Sequence, residues 1–321
     1  MKNKGFFFTL TVLFFITLLL LLFFYHRREY TKESVRIRLI VGNAFVETIE
    51  KNAERAAHLI GKRVLVALND YVATRGRIPA EKNFNEIFRE AFINGTLNQT
   101  LGYAEAERLL KNYTLEDWKK ETTFLAEKSD FELIFYDVFS DIIVSQTTPW
   151  AIDINFTLGY VLRDEETRTM WNRSVDIIAK VPIFGLEDPL YIQEFGRDAT
   201  NIIHKSPFEI FVEFDGKCNA TNLILHMGTN YTGSFYVNTT GPNYLNRLKG
   251  NFSARDVKTG IESIINPYKI RLLLQNISLI DHSYVKKRGA NVSIKGAEWI
   301  IMTSEEAKTY KIPFECLQPI Q

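Results

Sequence analysis

Apolar residues are concentrated at the start of the chain and then thin out into a periodic stripe. Residues 6–25 contain no charged side chain. Twenty residues in a helix, at about 1.5 Å each, match the roughly 30 Å of a membrane hydrocarbon core. The first pattern therefore predicts a transmembrane helix over 6–25.

The stripe that follows has the spacing of one helical face. Apolar residues recur at intervals of three and four, with charged residues between them, at Val41, Phe45, Ile49, Ala53, Ala56, Ile60, Val64, Ala67 and Tyr71. Such spacing is typical of an amphipathic helix. We predict that a stalk helix covers 26–75 and ends in "TRGRIP", where glycine and proline stop it.

Beyond residue 79 the pattern becomes mixed. Helices are predicted at "PAEKNFNEIFREAF" and at "TLEDWKKETTFLAEK", where Thr114 and Asp117 have capping-box spacing. Apolar and polar residues alternate in "AIDINFTLGYVL", and "MWNRSVDIIAKVPI" follows a turn, so 150–183 is predicted to form a β-hairpin. Further strands are predicted at "FEIFVEF", "GSFYVN", "KIRLLLQNISLI" and "NVSIKGAEWIIM".

Together these elements predict the α+β class: a long N-terminal transmembrane-plus-stalk helix followed by a β-rich extracellular domain. The predicted divisions are a basic leader at 1–5, the transmembrane helix at 6–25 and the stalk at 26–75. An outer lobe of helices and hairpin would occupy 79–195, and a second β-rich lobe would occupy 196–321.

Composition narrows the possible functions. The chain has 46% hydrophobic and 24% charged residues, which is typical of a globular protein. Its formal net charge is +1, and it has no run of Lys and Arg interleaved with aromatic residues. There is thus no electrostatic basis for nucleic-acid binding, and none is expected.

Asparagine glycosylation triplets are strongly over-represented. With 22 Asn and 38 Ser plus Thr in 321 residues, chance would give about 2.6 Asn-x-Ser/Thr triplets. The chain has eleven, at Asn94, Asn98, Asn112, Asn155, Asn172, Asn219, Asn230, Asn238, Asn251, Asn276 and Asn291. Turn-forming preference would explain one or two of them. We therefore expect N-linked glycans on residues 94 onward, and hence an extracytoplasmic location.

Charges flanking the apolar run favour the opposite orientation. Lys2 and Lys4 precede the run, whereas Arg27, Arg28 and Lys32 follow it. By the positive-inside rule the C-terminal side would stay in the cytoplasm. A large C-terminal domain can be translocated despite local charge, so the triplets outweigh this bias. The expected location is the cell membrane, single-pass, with the C-terminal domain outside.

The N-terminus resembles that of type IV pilin-like proteins. The layout of the whole chain resembles that of archaeal surface proteins that share this kind of N-terminus. "KNKG" directly precedes "FFFTLTVLFF", and the resemblance covers about the first 75 residues. It implies cleavage of a basic leader between Gly5 and Phe6, and a helix that packs with those of other subunits. Members usually carry Glu five residues after the cut, where this chain has Leu10. The large minor subunit thought to cap the filament tip also lacks that Glu.

Two cysteines leave three alternatives open. Cys218 and Cys316 could be free thiols, half of a metal site or one disulfide. No CxxC or neighbouring His supports a metal site. In an oxidising compartment a Cys218–Cys316 disulfide is the natural interpretation.

Candidate catalytic residues are few. The histidines are scattered, and no nucleophile elbow, Walker loop or EF-hand occurs. Asp281, His282 and Ser283 are consecutive, but neighbours in a strand point to opposite faces. Glu187 and Asp188 could bind a cation or act as paired carboxylates, although Asp188 before Pro189 also suits a turn. We therefore predict no catalytic, cofactor-binding or metal-binding residue.

The expected function is that of a non-enzymatic cell-surface protein. It would be a pilin-like minor subunit or adhesin, held by its N-terminal helix, with a glycosylated extracellular head. Its expected partners are the membrane and other pilin-like subunits. The alternative is a signal-anchored extracellular binding protein or surface hydrolase unrelated to pili.

Overall fold

A computed structural model shows an α+β fold with a long N-terminal helix. It describes residues 4–136, 142–195, 201–227, 235–265, 279–280 and 291–320. For 4–11, 26–32, 194–195, 265 and 279–280 only the backbone is described. The helices in these ranges are α1 Lys4–Arg75, α2 Phe84–Asn94, α3 Asn98–Leu101, α4 Ala106–Leu110, α5 Leu115–Lys128, α6 Pro189–Phe195, α7 Thr221–His226, α8 Tyr244–Leu248 and α9 Ser304–Thr309, with a 3-10 helix at Phe314–Cys316.

The strands are mostly short, apart from one long hairpin. In chain order they are β1 Glu132–Tyr136, β2 Ile143–Thr148, β3 Ala151–Asp164, β4 Thr169–Pro182, β5 Glu213–Phe214, β6 Cys218–Asn219, β7 Val237–Thr239, β8 Gly260–Glu262, β9 Ile264–Ile265, β10 Leu279–Ile280, β11 Val292–Ile294, β12 Ala297–Met302 and β13 Leu317–Pro319. β3 pairs with β1, β2 and β4. The predicted hairpin over 150–183 is confirmed as β3 and β4.

The prediction of a transmembrane helix at 6–25 is wrong. Across the described residues, the structure has no helix long and apolar enough to cross a membrane.

The chain divides into two compact units built from separated segments. The first unit consists of 1–53, 120–138 and 158–175; the second consists of 54–119, 139–157 and 176–321. The predicted lobes at 79–195 and 196–321 instead follow chain order. α1, β3 and β4 each supply residues to both units.

In the first unit, β1 pairs antiparallel with the second half of β3, from Glu132 opposite Arg163 to Tyr136 opposite Gly159. Phe45 of α1 stacks on Phe131, with ring centroids 5.9 Å apart. Arg38 of α1 donates to both carboxylate oxygens of Asp164, at 2.8 and 3.0 Å. This guanidinium lowers the pKa of the Asp164 carboxyl to about 2.

In the second unit, the helical stripe forms part of the core. Ile60, Val64, Ala67 and Tyr71 are buried, as the spacing predicts. Gly61 lies where side chains of β3 and β4 approach the helix closely. A Cβ on Gly61 would be 2.3 Å from Ile154 Cδ1 and 2.9 Å from Val181 Cγ2. Glycine at this position therefore permits packing that a larger residue would prevent.

Several of the remaining local predictions are correct. α5 lies within its predicted segment, and α2 begins within its own and ends two residues beyond it. The Asp117 N–H donates to Thr114 Oγ1 at 2.9 Å in the predicted cap. Predictions at the other strands are only partly correct. "FEIFVEF" yields only Glu213–Phe214, and "NVSIKGAEWIIM" forms two strands joined at Lys295 and Gly296. Most of "KIRLLLQNISLI" lies outside the described residues.

Candidate functional site

The asparagines of the glycosylation triplets lie at the surface of the described part of the chain. Nine of the eleven are described, of which eight are exposed, one is half-buried and none is buried. The exposed ones are Asn94, Asn98, Asn112, Asn172, Asn219, Asn238, Asn251 and Asn291, and the half-buried one is Asn155. Asn230 and Asn276 lie outside the described residues.

The other asparagines provide an internal comparison. Nine asparagines outside triplets have described side chains; two are exposed, four half-buried and three buried. The three buried ones are Asn69, Asn201 and Asn243. The same side chain thus occurs in the interior when it is not part of a triplet. Exposure is a property of the triplets and not of asparagine in general.

Turn preference does not account for this exposure. Five of the eight exposed triplet asparagines lie within regular elements, namely Asn94, Asn98, Asn172, Asn219 and Asn238. Their positions are set by the elements that carry them. For example, the carboxylate of buried Glu90 accepts from the N–H groups of Gln99 and Thr100, both at 2.8 Å, and so fixes the short helix that presents Asn98.

The side-chain amides of these asparagines differ in which end contacts the protein. Asn172 Oδ1 accepts from the Tyr136 hydroxyl at 2.6 Å, and Asn291 Oδ1 accepts from the Ser304 N–H at 3.0 Å. Asn219 Oδ1 accepts from the N–H and the hydroxyl of Thr221, at 3.1 and 2.6 Å. Asn238 is oriented the other way: its Nδ2 donates to the Lys258 and Gly260 carbonyls, at 3.3 and 2.8 Å.

Cys218 and Cys316 are joined by a disulfide, with Cα atoms 5.6 Å apart. Cys316 is fully buried and belongs to the hydrophobic cluster of the second unit's C-terminal part, together with Phe211, Ile300 and Tyr310. The bond ties the 3-10 helix at Phe314–Cys316 to β6, 98 residues earlier. Sequence left three alternatives open, and the structure has the bonded form.

The carboxylates of Glu187 and Asp188 do not form a catalytic pair. Asp188 is fully buried, and its Oδ2 accepts from Arg247 Nη1 at 2.6 Å and from the Tyr236 hydroxyl at 2.7 Å. Its Oδ1 accepts from the Leu190 N–H at 2.9 Å. Both oxygens are therefore occupied by the protein. The role of Arg247 was missed because it lies 59 residues away in sequence and no motif marks it.

Within the described residues, no further candidates form a reactive cluster. Asp281, His282 and Ser283 lie outside the described residues. Within the described ranges, no group of three or more His, Cys, Asp or Glu could hold a metal ion. His226 is buried, with Nδ1 3.1 Å from Ser206 Oγ, and burial lowers the pKa of its imidazole to about 3. At neutral pH His226 is thus an uncharged core residue.

The described part of the chain has two surface cavities of similar size, one in each compact unit. The cavity in the first unit, about 520 Å³, is lined by Arg38, Asp130, Glu165 and Glu166 among others. The cavity in the second unit, about 550 Å³, is lined by Val66, Asp70, Leu109, Leu186 and Ile202 among others. Neither has an adjacent nucleophile and base among its described lining residues, so their geometry does not indicate a reaction.

The predicted processing site lies at the start of α1. Gly5 and Phe6 lie within the described part of this helix, Lys4–Arg75. The chain matches no protein-family model, and neither curated proteins nor solved structures give a significant match.

Proposed function

We propose that this chain is an exported, glycosylated, non-enzymatic cell-surface protein, and that it works as a pilin-like minor subunit. The observation that carries the proposal is the contrast between the two sets of asparagines. Those in glycosylation triplets are exposed in eight of nine described cases, whereas those outside triplets are exposed in two of nine. An attached glycan needs solvent around the asparagine, so glycan attachment accounts for both the number and the placement of the triplets.

The disulfide supports export independently of the asparagines. Structural disulfides persist in oxidising compartments and are rare in the cytosol of most organisms. Here the bond lies partly inside a hydrophobic cluster, because Cys316 is fully buried. A fold that places a cystine in its core is suited to a compartment that keeps the bond oxidised.

The N-terminal segment supports an assembly role. Between Val12 and Tyr25 the large apolar side chains are exposed, and the hydroxyl of Thr17 donates to the Leu13 carbonyl at 2.8 Å. The segment therefore presents apolar surface on all sides. A continuous apolar surface of this size marks an interaction site. The segment carries no charged side chain with which a different protein could pair. We therefore assign the same segment in other copies of this chain as its partner.

Cross-linking from α1 tests this assignment. Leu19 and Leu59 are both leucines of α1 with similar exposed fractions, 64% and 59%. A photo-reactive amino acid placed at Leu19 is expected to give covalent multimers of the chain in its native cells. The same substitution at Leu59 is the matched control and is expected to give monomer only. Monomer from both positions would contradict the assembly role and leave a solitary extracellular binding protein.

A further inference from the structure

The nitrogen of the asparagine amide, and not the oxygen, is the atom that N-glycosylation consumes. Nδ2 forms a bond to the anomeric carbon of a sugar carried on a lipid phosphate. The bond between that carbon and the phosphate oxygen breaks, the lipid phosphate leaves with the electron pair, and Nδ2 loses one proton. An amide that carried two N–H donors then carries one.

Hydrogen-bond partners fix the orientation of three of the exposed triplet amides. Backbone N–H groups of Thr221 and Ser304 can only donate, so they must face the oxygens of Asn219 and Asn291. Carbonyls can only accept, so those of Lys258 and Gly260 must face the nitrogen of Asn238. This distinction rests on the chemistry of the partners and does not depend on how the amide is assigned.

Seven of the eight exposed triplet asparagines leave the nitrogen available. Asn172, Asn219 and Asn291 bind the protein through oxygen, and in the described structure the side chains of Asn94, Asn98, Asn112 and Asn251 make no hydrogen bond. Asn238 is the exception among these eight. Its Nδ2 donates to the carbonyls of Lys258 and Gly260. Gly260 is the first residue of β8, the strand that pairs with β7, which carries Asn238.

Gly260, which accepts from Asn238 Nδ2 at 2.8 Å, lies where the backbone has no room for a side chain. A Cβ added at Gly260 would lie 2.2 Å from the Gly241 carbonyl oxygen and 2.7 Å from that of Thr239. The backbone around the acceptor carbonyl is therefore closely packed. Glycosylation would remove one of the two hydrogen bonds and place a bulky group at the β7–β8 pair, where Asn238 lies opposite Ile261.

We propose that Asn238 is a structural asparagine that stays unmodified, and that Asn94, Asn98, Asn112, Asn172, Asn219, Asn251 and Asn291 carry the glycans. This assignment rests on the proposed function, since it presumes that the protein is glycosylated. It divides sites that look identical in sequence, because each is an exposed asparagine in a valid triplet.

Site-by-site glycopeptide mass spectrometry of the protein from its native cells tests the division. The expected result is at least a tenfold lower occupancy at Asn238 than at Asn251. Equal occupancy at the two sites would overturn the division while leaving the proposed function intact. Unmodified asparagine at all eight sites would overturn both.

Two exposed hydroxyl residues provide a matched pair of variants. Thr240→Ala removes the triplet of Asn238 without altering the asparagine, and Ser253→Ala does the same for Asn251. Ser253→Ala is expected to lower the intact mass by one glycan, whereas Thr240→Ala should leave the glycan mass unchanged. A loss of one glycan in Thr240→Ala would contradict the proposal.

Discussion

The indole ring of Trp171 packs directly on Gly42 of α1. A Cβ at Gly42 would lie 2.2 Å from Cη2 of that ring, and the ring is held in place because its Nε1 donates to Asn43 Oδ1 at 2.8 Å. Strand β4 thus approaches the helix as closely as a residue without a side chain allows. The sequence alone does not mark this contact.

We expect Gly42→Ala to destabilise the protein by about 1–3 kcal/mol, because the added methyl group overlaps the ring. In a Trp171→Ala background the same change should stabilise by about 1 kcal/mol, since alanine favours the helix more than glycine does. Urea unfolding of the four proteins in the cycle measures both values. The same sign in both backgrounds would show that the ring is not the cause.

The buried pair of Asp188 and Arg247 gives a second prediction. Removing one partner leaves an uncompensated buried charge, so Asp188→Leu or Arg247→Met should each cost about 3–5 kcal/mol in the free energy of unfolding. The double variant should lose clearly less than the sum of the single losses, because neither charge then remains. Strictly additive losses in denaturant unfolding would show that the two residues act independently.

Stability should depend on pH through His226. Burial lowers the pKa of its imidazole to about 3 from an ordinary value near 6.5. Between these values the unfolded chain binds a proton that the folded chain does not. The contribution of His226 to the free energy of unfolding is therefore complete above about pH 6.5. It is lost as pH falls toward 3, by about 1.4 kcal/mol per pH unit.

The variant His226→Phe should remove that part of the pH dependence, since phenylalanine suits a site between Phe211, Phe235 and Tyr310. Thermal unfolding of both proteins from pH 7 to pH 4 makes the comparison. If the stability of the variant falls with pH at the same rate, groups other than His226 cause the loss of stability. Asp164 is the natural reference, because its pKa of about 2 confines its effect to pH below about 4.

Reduction of the Cys218–Cys316 bond should destabilise the fold. Closing a loop with a sequence separation of 98 residues is worth up to about 4–5 kcal/mol in the chain-entropy model, and measured gains are often smaller. Thiol titration of the denatured, unreduced protein should find no free thiol. Two free thiols per chain would show that the bond is absent from the protein in solution.

Local patterns predicted much of the fold. The stripe on α1, the cap at Thr114 and the β3–β4 hairpin depend on short-range periodicity and spacing, which the sequence displays directly. The short strands β5, β6 and β7 could not be bounded in this way. Two or three paired residues leave no period to detect, and β7 pairs with β8, which lies well beyond it in the chain.

The membrane-spanning prediction failed for a different reason. It relied on length and hydropathy over 6–25, whereas among the described residues no helix is apolar over enough of its length to cross a membrane. In the candidate site, the triplets were visible in sequence, but the orientation of each amide was not. Asn238 and Asn251 differ only through contacts that the fold creates, such as the one between Asn238 and Gly260.

The intact mass of the protein purified from its native cells tests the central claim most directly. The polypeptide accounts for 37.2 kDa. Export and glycosylation predict a mass above that of the polypeptide by several glycans, which falls to the polypeptide mass on chemical deglycosylation. A native mass equal to that of the unmodified polypeptide would contradict the claim.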